Sequence, residues 1–416
     1  MRDVSRSWAS RPLGEVIAIT KGRKPPRLVA DSSRNAMPYA TTSLFRSGTA
    51  TQFVPSEDLP SCVVTPIGCP VLIWDGSNAG EVFVGKDAVL ASTMALIKPD
   101  ESVVDPGFCY LFLKTAFDEL NGGTTGSTIP HVSKLTLTAL QMPALPLDEQ
   151  RLISGLLFKM EEAIAIQVTF ATTAQELKRA AMRELFTRGL RGEAQKDTEI
   201  GLVPESWELA SIGSHHSVVS GGTPSRGNPA YWTGGAIPWV KTTEVDYCVI
   251  NETGEHITPL GLESSAAKML PKGTLLMAMY GQGVTRGKVA ILGIEAACNQ
   301  ACAAITPKDD TVLPRYLYHF LTSRYDKIRS LAHGGQQQNL NLEIVRDLSV
   351  AHPQTADEQH EIATILDALD RKIALHRQKR AVLEELFQSL LHKLMTGAIR
   401  VADLDLSALP PASATA

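Results

Sequence analysis

The sequence has no apolar run approaching the roughly 20 residues that a helical membrane span needs. Its first residues, Met1–Trp8, are polar and charged, with no long apolar stretch after them. That pattern predicts no secretion signal. Cysteine is sparse: six residues are scattered over 416, no CxxC is present, and Cys298 and Cys302 form the only close pair. Such usage predicts reduced thiols in a cytoplasm, not a disulfide framework or a zinc site. A basic excess is missing too. The net charge of −4 gives no global field for nucleic acid, so any such surface must be local, with acidic helices masking basic loops. What remains is a soluble globular composition, 44% hydrophobic, in a chain too long for one ordinary core. Two to three domains are expected.

Catalytic signatures are also missing. There is no GxSxG, no HExxH and no acidic pair with a trailing Lys of the kind nucleases use. Gly80–Asp87 fits a phosphate-binding loop up to its last position. There Asp87 replaces the Ser/Thr that would hold Mg²⁺, and the Val/Phe interior reads as strand and turn. Asn228-Pro229-Ala230-Tyr231 is similar to the NPPY loop of amino-methyltransferases but lacks its second proline, and no Gly-rich SAM-binding turn precedes it. Gly281-Gln282-Gly283 followed by Gly287 is a weak nucleotide-loop pattern, and His215-His216 reads as solvated loop histidines. No catalytic or metal-binding residue is therefore expected.

What the chain does have is a helical stretch carried twice. One copy runs from Asp148-Glu149-Gln150 to about Arg188 and the other from Asp357-Glu358-Gln359 to about Thr396, at an ungapped offset of 209 residues. An internal repeat of this kind frames the whole fold. Apolar residues recur at steps of three and four: Ile153, Leu157, Met160, Ile164, Leu177 and Leu185 in one copy, and Ile362, Leu366, Leu369, Ile373, Leu386 and Leu394 in the other. This spacing predicts two helices roughly 60 Å long, each with an apolar stripe, and each the obvious partner of the other.

The segments before the helices also repeat in plan, as mixed α/β. Trp8 and Gly14 match Trp207 and Gly213, and Met37–Ser43 matches Ile237–Thr243. Gly68–Trp74 matches Gly273–Met279, and the run ending at Pro99 matches the one ending at Pro307. Strands are expected at Val71–Trp74, Glu81–Val84 and Met94–Ile97, and a helix over Pro106–Leu120. The order is then a domain at 1–147, a spacer helix at 148–196, a second domain at 197–356, a second spacer helix at 357–400 and a disordered tail at 401–416. Leu190–Ile200 reads as a linker.

This order, with Trp8/Leu13-Gly14 and Trp207/Ile212-Gly213 opening the halves, resembles the specificity subunit of type I restriction–modification systems. Also similar are Gly221–Val245, the loop Gly126–Lys134, and proline-containing linkers ending in Asp-Glu-Gln. One departure is at Gly335–Leu342, only a loose counterpart of Gly126–Lys134. The resemblance implies an α/β (α+β) fold of two target recognition domains separated by two long helices packed as an antiparallel coiled coil, with a pseudo-two-fold repeat. It implies a non-catalytic subunit that binds double-stranded DNA with a bipartite target. It further implies two docked methylation (M) subunits carrying SAM, and restriction (R) subunits using ATP and Mg in the full complex, with no cofactor on this chain.

Base edges are read by Arg, Lys, Asn and Gln, with Ser/Thr adaptable, and phosphates are held by Lys/Arg. Loops rich in these residues are the candidate DNA contacts. In the first domain they are Lys21, Arg23, Lys24, Thr41, Thr42, Ser77, Asn78, Ser127 and Thr128. In the second they are Thr223, Ser225, Arg226, Lys241, Thr242, Tyr280, Gln282, Arg286, Gln336 and Gln338. The helices would act as a ruler between the half-sites. Two rival readings are a fused restriction or methylation enzyme with its own catalytic site, and a scaffold binding only protein.

Overall fold

The computed structural model describes residues 8–30, 35–122, 130–281, 284–331 and 339–404, and the chain forms two compact units. One combines residues 1–168 with 378–416; the other is residues 169–377. The long helices, Leu147–Arg188 and Ala356–Thr396, each contribute one half to either unit.

In the first unit, strands Ile17–Lys21, Met94–Pro99, Pro70–Ile73 and Val82–Val84 form an antiparallel sheet in that order, with Ile19 opposite Ile97. A second sheet runs Phe53–Pro55, Ala36–Ala40, Ala88–Leu90, Val64–Thr65, its middle pair parallel. Pro70–Ile73 is buried throughout, which is why it reads as a continuous apolar run and not an alternating one. The helix Pro106–Thr115 starts on Asp105, whose carboxylate accepts the Phe108 N–H at 2.9 Å, with Pro106 in the first turn. It packs into the core with Ile153, Leu156, Leu157 and Met160 from one long helix and Phe387, Leu391 and Leu394 from the other. The early half of one helix thus meets the late half of the other, so they run antiparallel. Burial of each such side chain stabilises the fold by about 1.5–3 kcal/mol.

The second unit repeats the plan. Strands His216–Ser220, Cys302–Pro307, Leu275–Ala278, Val289–Leu292 and Val249–Ile250 form one sheet, with Glu255–Ile257, Ile237–Val240 and Ala297–Cys298 in another. Trp239↔Ala297 and Val240↔Cys298 reproduce the parallel register of Tyr39↔Val89 and Ala40↔Leu90. Helix Pro314–Ser323 packs with Trp207, Met182, Phe186, Ile362 and Leu366, and Phe186 sits edge-on to Tyr316 and Phe320.

At the seam between domain helix and long helix the two units use different chemistry. Gly107 leaves room for the Phe158 ring, which an added Cβ would approach to 2.6 Å. Asp367 stands at the position equivalent to Phe158 and is held by Arg315 and His319, both at 2.7 Å. Burial opposes its ionisation, but the hydrogen bonds from His319 and Arg315 outweigh it and hold the carboxyl at about 2. Lys178 neutralises the adjacent Asp370 at 2.6 Å. Among the described residues, His319, Asp367 and Asp370 are the one His/Cys/carboxylate cluster at ligand spacing. Two cations already occupy it, so it is an ion network.

Several expectations need correction. Leu177 and Leu386 are 55% and 46% exposed instead of packed in the stripe. The buried seam of the first helix steps through Ala174, Lys178, Met182 and Phe186, and a neighbouring position is turned about 100° away. Lys178, whose charge is cancelled by Asp370, hides that seam from an apolar count. The first long helix ends at Arg188, as expected, with Gly189 at φ 64°, so the spacer segment drawn to 196 finishes outside the helix. The linker is partly an antiparallel hairpin, Gln195–Thr198 with Gly201–Pro204. Pro106–Leu120 is two helices, broken at Ala116. His216 is a buried strand residue, and His215 pairs with Asp309 at 3.0 Å. The tail starts ordered: Val401–Asp403 forms a helical turn with Val401 buried. Residues 405–416 lie outside the described ones.

Candidate nucleic-acid interface

The strands Ile17–Lys21 and His216–Ser220 are each followed by a glycine that no other residue can replace without backbone movement. A Cβ on Gly22 would lie 2.1 Å from the Ala91 carbonyl oxygen, and one on Gly221 would lie 2.1 Å from that of Cys298. The first polar loop therefore leaves both domains at the same place, against the end of the same parallel strand pair.

In the second unit the candidates converge. Thr223 donates to Gln300, and Thr242 donates to Asn299 at 2.8 Å. Arg226 lies 3.8 Å over the Trp232 ring and 4.8 Å from that of Trp239, and pairs with Glu255. Lys241 reaches the same carboxylate at 3.1 Å. The Arg226 hydrogen bond is the main reason the Glu255 carboxyl is held below its ordinary range. Trp239 donates to the Gly222 carbonyl at 2.9 Å, fixing the loop to the strand. Ser225 is exposed beside them. The result is a polar rim of hydroxyls, amides and a stacked guanidinium, which are the groups that discriminate base edges.

The first unit is plainer. Lys21 pairs with Asp75 at 2.9 Å and lies 6.0 Å from the Trp74 ring, joining the first loop to the one bearing exposed Ser77 and Asn78. Thr41 and Ser43 share a hydroxyl bond of 2.8 Å, and Thr42 is half-buried beside them. Arg23 and Lys24 are exposed without an ion pair to a described residue. Tyr280 is 44% exposed in the second unit, but Arg286 is buried, 8% exposed, so it is not presented as expected. Ser127, Thr128, Gln282, Gln336 and Gln338 lie outside the described residues.

Asn299 and Gln300 are absent from the sequence-derived set, as are Trp232 and Glu255. Asn299-Gln300 carries a local signal: two adjacent amides between the buried Cys298 and Cys302, where apolar residues surround them. Glu255 has none, because only the strand pairing beside Trp239 brings it to Arg226 and Lys241. Gly80–Asp87 contains the strand Val82–Val84, and the Lys86 ammonium donates to the Leu44 carbonyl at 3.0 Å. Cys298 and Cys302 are free and fully buried. Among the described residues no helix is long and apolar enough to cross a membrane.

Two α/β domains of one plan, each seated on half of an antiparallel helix pair and each with its own polar rim, define a duplicated reader. Residues 5–175 and 204–385 both match the family model described as type I restriction modification DNA specificity domain. The chain belongs to the type I restriction–modification specificity subunits. It is 26% identical to the type I restriction enzyme MjaVIII specificity subunit of Methanocaldococcus jannaschii, covering 97% of this chain and 95% of that one. It is 24% identical to the EcoR124I/EcoR124II specificity subunit of Escherichia coli, over 72% of each. The fold is that of the S subunit from M. genitalium, with a TM-score of 0.66 at 15% identity, covering 95% of this chain and 98% of that one.

Proposed function

We propose that each unit of this DNA-recognition subunit reads one half of a bipartite duplex target and that the long helices fix the spacing between the halves. The observation that carries this is the pairing of a repeated frame with unrepeated rims. Gln150 and Gln359 do the same structural work, while the rim pairing is Lys21–Asp75 in one unit and Arg226–Glu255–Lys241 in the other. The chain has no catalysis of its own in this reading. SAM sits on two methylation subunits, ATP and Mg on restriction subunits, and the complex works in the cytoplasm.

The helices supply a surface for two equal partners. Ile166 and Leu375 are repeat-equivalent and 42% and 47% exposed; Leu177 and Leu386 are equivalent and 55% and 46% exposed. Each unit thus carries one residue of either pair, which supports docking one methylation subunit per unit.

The test is the methylome of a host without type I systems, expressing this chain with its methylation subunit. Methylated adenines in a split motif that vanish without this chain are expected. A stable complex that methylates nothing new would reject the reading in favour of a scaffold. Methylation or cleavage by the isolated chain would reject it in favour of an enzyme.

A further inference from the structure

The second unit contains a cleft of about 870 Å³ whose floor is Met182 and Phe186 of the first long helix. Arg179 and Arg183 stand on its wall, both exposed and neither in an ion pair with a described residue. Lys288 and Arg324 face it from the domain. Lys288 is paired with the exposed Asp246 at 2.6 Å, and Arg324 donates to the Ile200 carbonyl at 2.9 Å. Partial burial lowers the Arg324 pKa, so its charge is poorly solvated. One carboxylate, Asp326, also lines the rim. Four cations against two carboxylates, Asp326 and the Asp246 paired with Lys288, leave the cleft net positive.

A second observation marks the same place. Tyr247 lines the cleft with φ at 50°, and among the described residues it alone, apart from glycines, has a positive φ. An aromatic side chain in that region costs on the order of 1–3 kcal/mol, and such strain clusters at ligand clamps. Its ring is held edge-on to Tyr325 at 6.0 Å, and the Tyr325 hydroxyl donates to the Val284 carbonyl at 2.6 Å. The cleft wall is thereby tied to the turn between strands Leu275–Ala278 and Val289–Leu292, the turn that carries the exposed Tyr280.

The first unit differs here: its corresponding groove, beside Gln388, holds Lys114, whose charge is cancelled by Glu161. Repeat-equivalent to Arg179 and Arg183 are Gln388 and His392. Strand register makes Glu81 the counterpart of Lys288, and the matching helix ends make Ala116 that of Arg324. No cation fixed at neutral pH remains at these four places, and one is acidic. A surface that docks two copies of one subunit must repeat; a surface that touches two different half-sites need not. The unrepeated charge argues against a docking surface for paired subunits and leaves the duplex backbone as the polyanion that suits it. Arg179 and Arg183, one helical turn or about 6 Å apart, span roughly two successive phosphates of one strand.

We propose that this cleft grips the phosphate backbone of the bound duplex beside the half-site read by the second domain, with Arg179 and Arg183 as positioning residues. The proposal rests on the DNA-reading function above. It makes the grip on DNA unequal: the second domain anchors electrostatically, the first reads with little backbone charge here.

The test uses the full chain assembled with its methylation subunits and a duplex bearing the target found by methylome sequencing. Affinity is measured by anisotropy across a salt series for the wild type, Arg179→Gln/Arg183→Gln and Arg179→Lys/Arg183→Lys. The Gln pair should weaken binding about tenfold or more and reduce the log–log salt slope by about 2, with the methylated motif unchanged. The Lys pair should keep the slope. An unchanged slope in the Gln pair would overturn the proposal. So would loss of complex assembly at full target affinity, which makes the cleft a protein-docking site. A wild-type complex that binds no target sequence would instead sink the recognition reading, and the proposal with it.

Discussion

Gln150 and Gln359 close the repeated Asp-Glu-Gln, and both are 1% exposed. The Gln150 amide donates to the Val103 and Leu145 carbonyls at 2.9 and 2.8 Å and accepts from the Asp105 N–H at 2.9 Å. Gln359 does the same with the Thr311 carbonyl and the Leu313 N–H, at 2.7 and 2.9 Å. Each long helix therefore satisfies the backbone that launches its domain helix, which explains why this triplet was legible as a repeat. His216 was not legible. It sits beside His215 in sequence, yet its strand turns it into the sheet, where desolvation pushes its pKa down to about 4, with His215 and Lys308 adding to the shift and Asp309 opposing it. The folded chain prefers the neutral ring, so the unfolded chain takes the proton first as pH falls. The stabilisation is complete above pH 6.5 and is lost progressively down to about 4. We expect the wild type to lose about 1–3 kcal/mol more than His216→Leu across that window, read by denaturant unfolding. Parallel curves for the two proteins would refute this.

The long helices are the elements the sequence shows best, because a repeat at fixed offset needs no knowledge of packing. Their extents, Leu147–Arg188 and Ala356–Thr396, follow the Asp-Glu-Gln openings and the glycines after them. Which face is buried was less legible: Lys178 occupies a seam position while Leu177, beside it, faces solvent. The exposed leucines are instead expected to serve assembly. Replacing Leu177 and Leu386 together by Asp should leave the unfolding midpoint of the isolated chain within about 0.5 kcal/mol of wild type, because neither side chain is in the core. The same pair should abolish co-purification of methylation subunits; unimpaired co-purification would remove the helices from the docking surface. The domains were legible in plan and not in rim, since Glu255 meets Arg226 only through strand register and Gln300 meets Thr223 only where a turn and a loop approach in the fold.

At the scale of the whole chain, each helix runs unbroken from one unit into the other. Inserting one helical turn in the middle of the first long helix adds about 6 Å, or one to two base pairs. The expected methylome keeps both half-sequences and lengthens the unread gap; altered half-sequences would refute the ruler. The division of the chain has another consequence, in the order of synthesis. The second unit is one continuous segment, complete once residue 377 has left the ribosome. The first unit, although its domain is made earliest, lacks Phe387, Leu391 and Leu394 from its core until the last helix emerges. The half whose domain is made earlier is the half that closes later, so its apolar seat stays open until the second long helix is made.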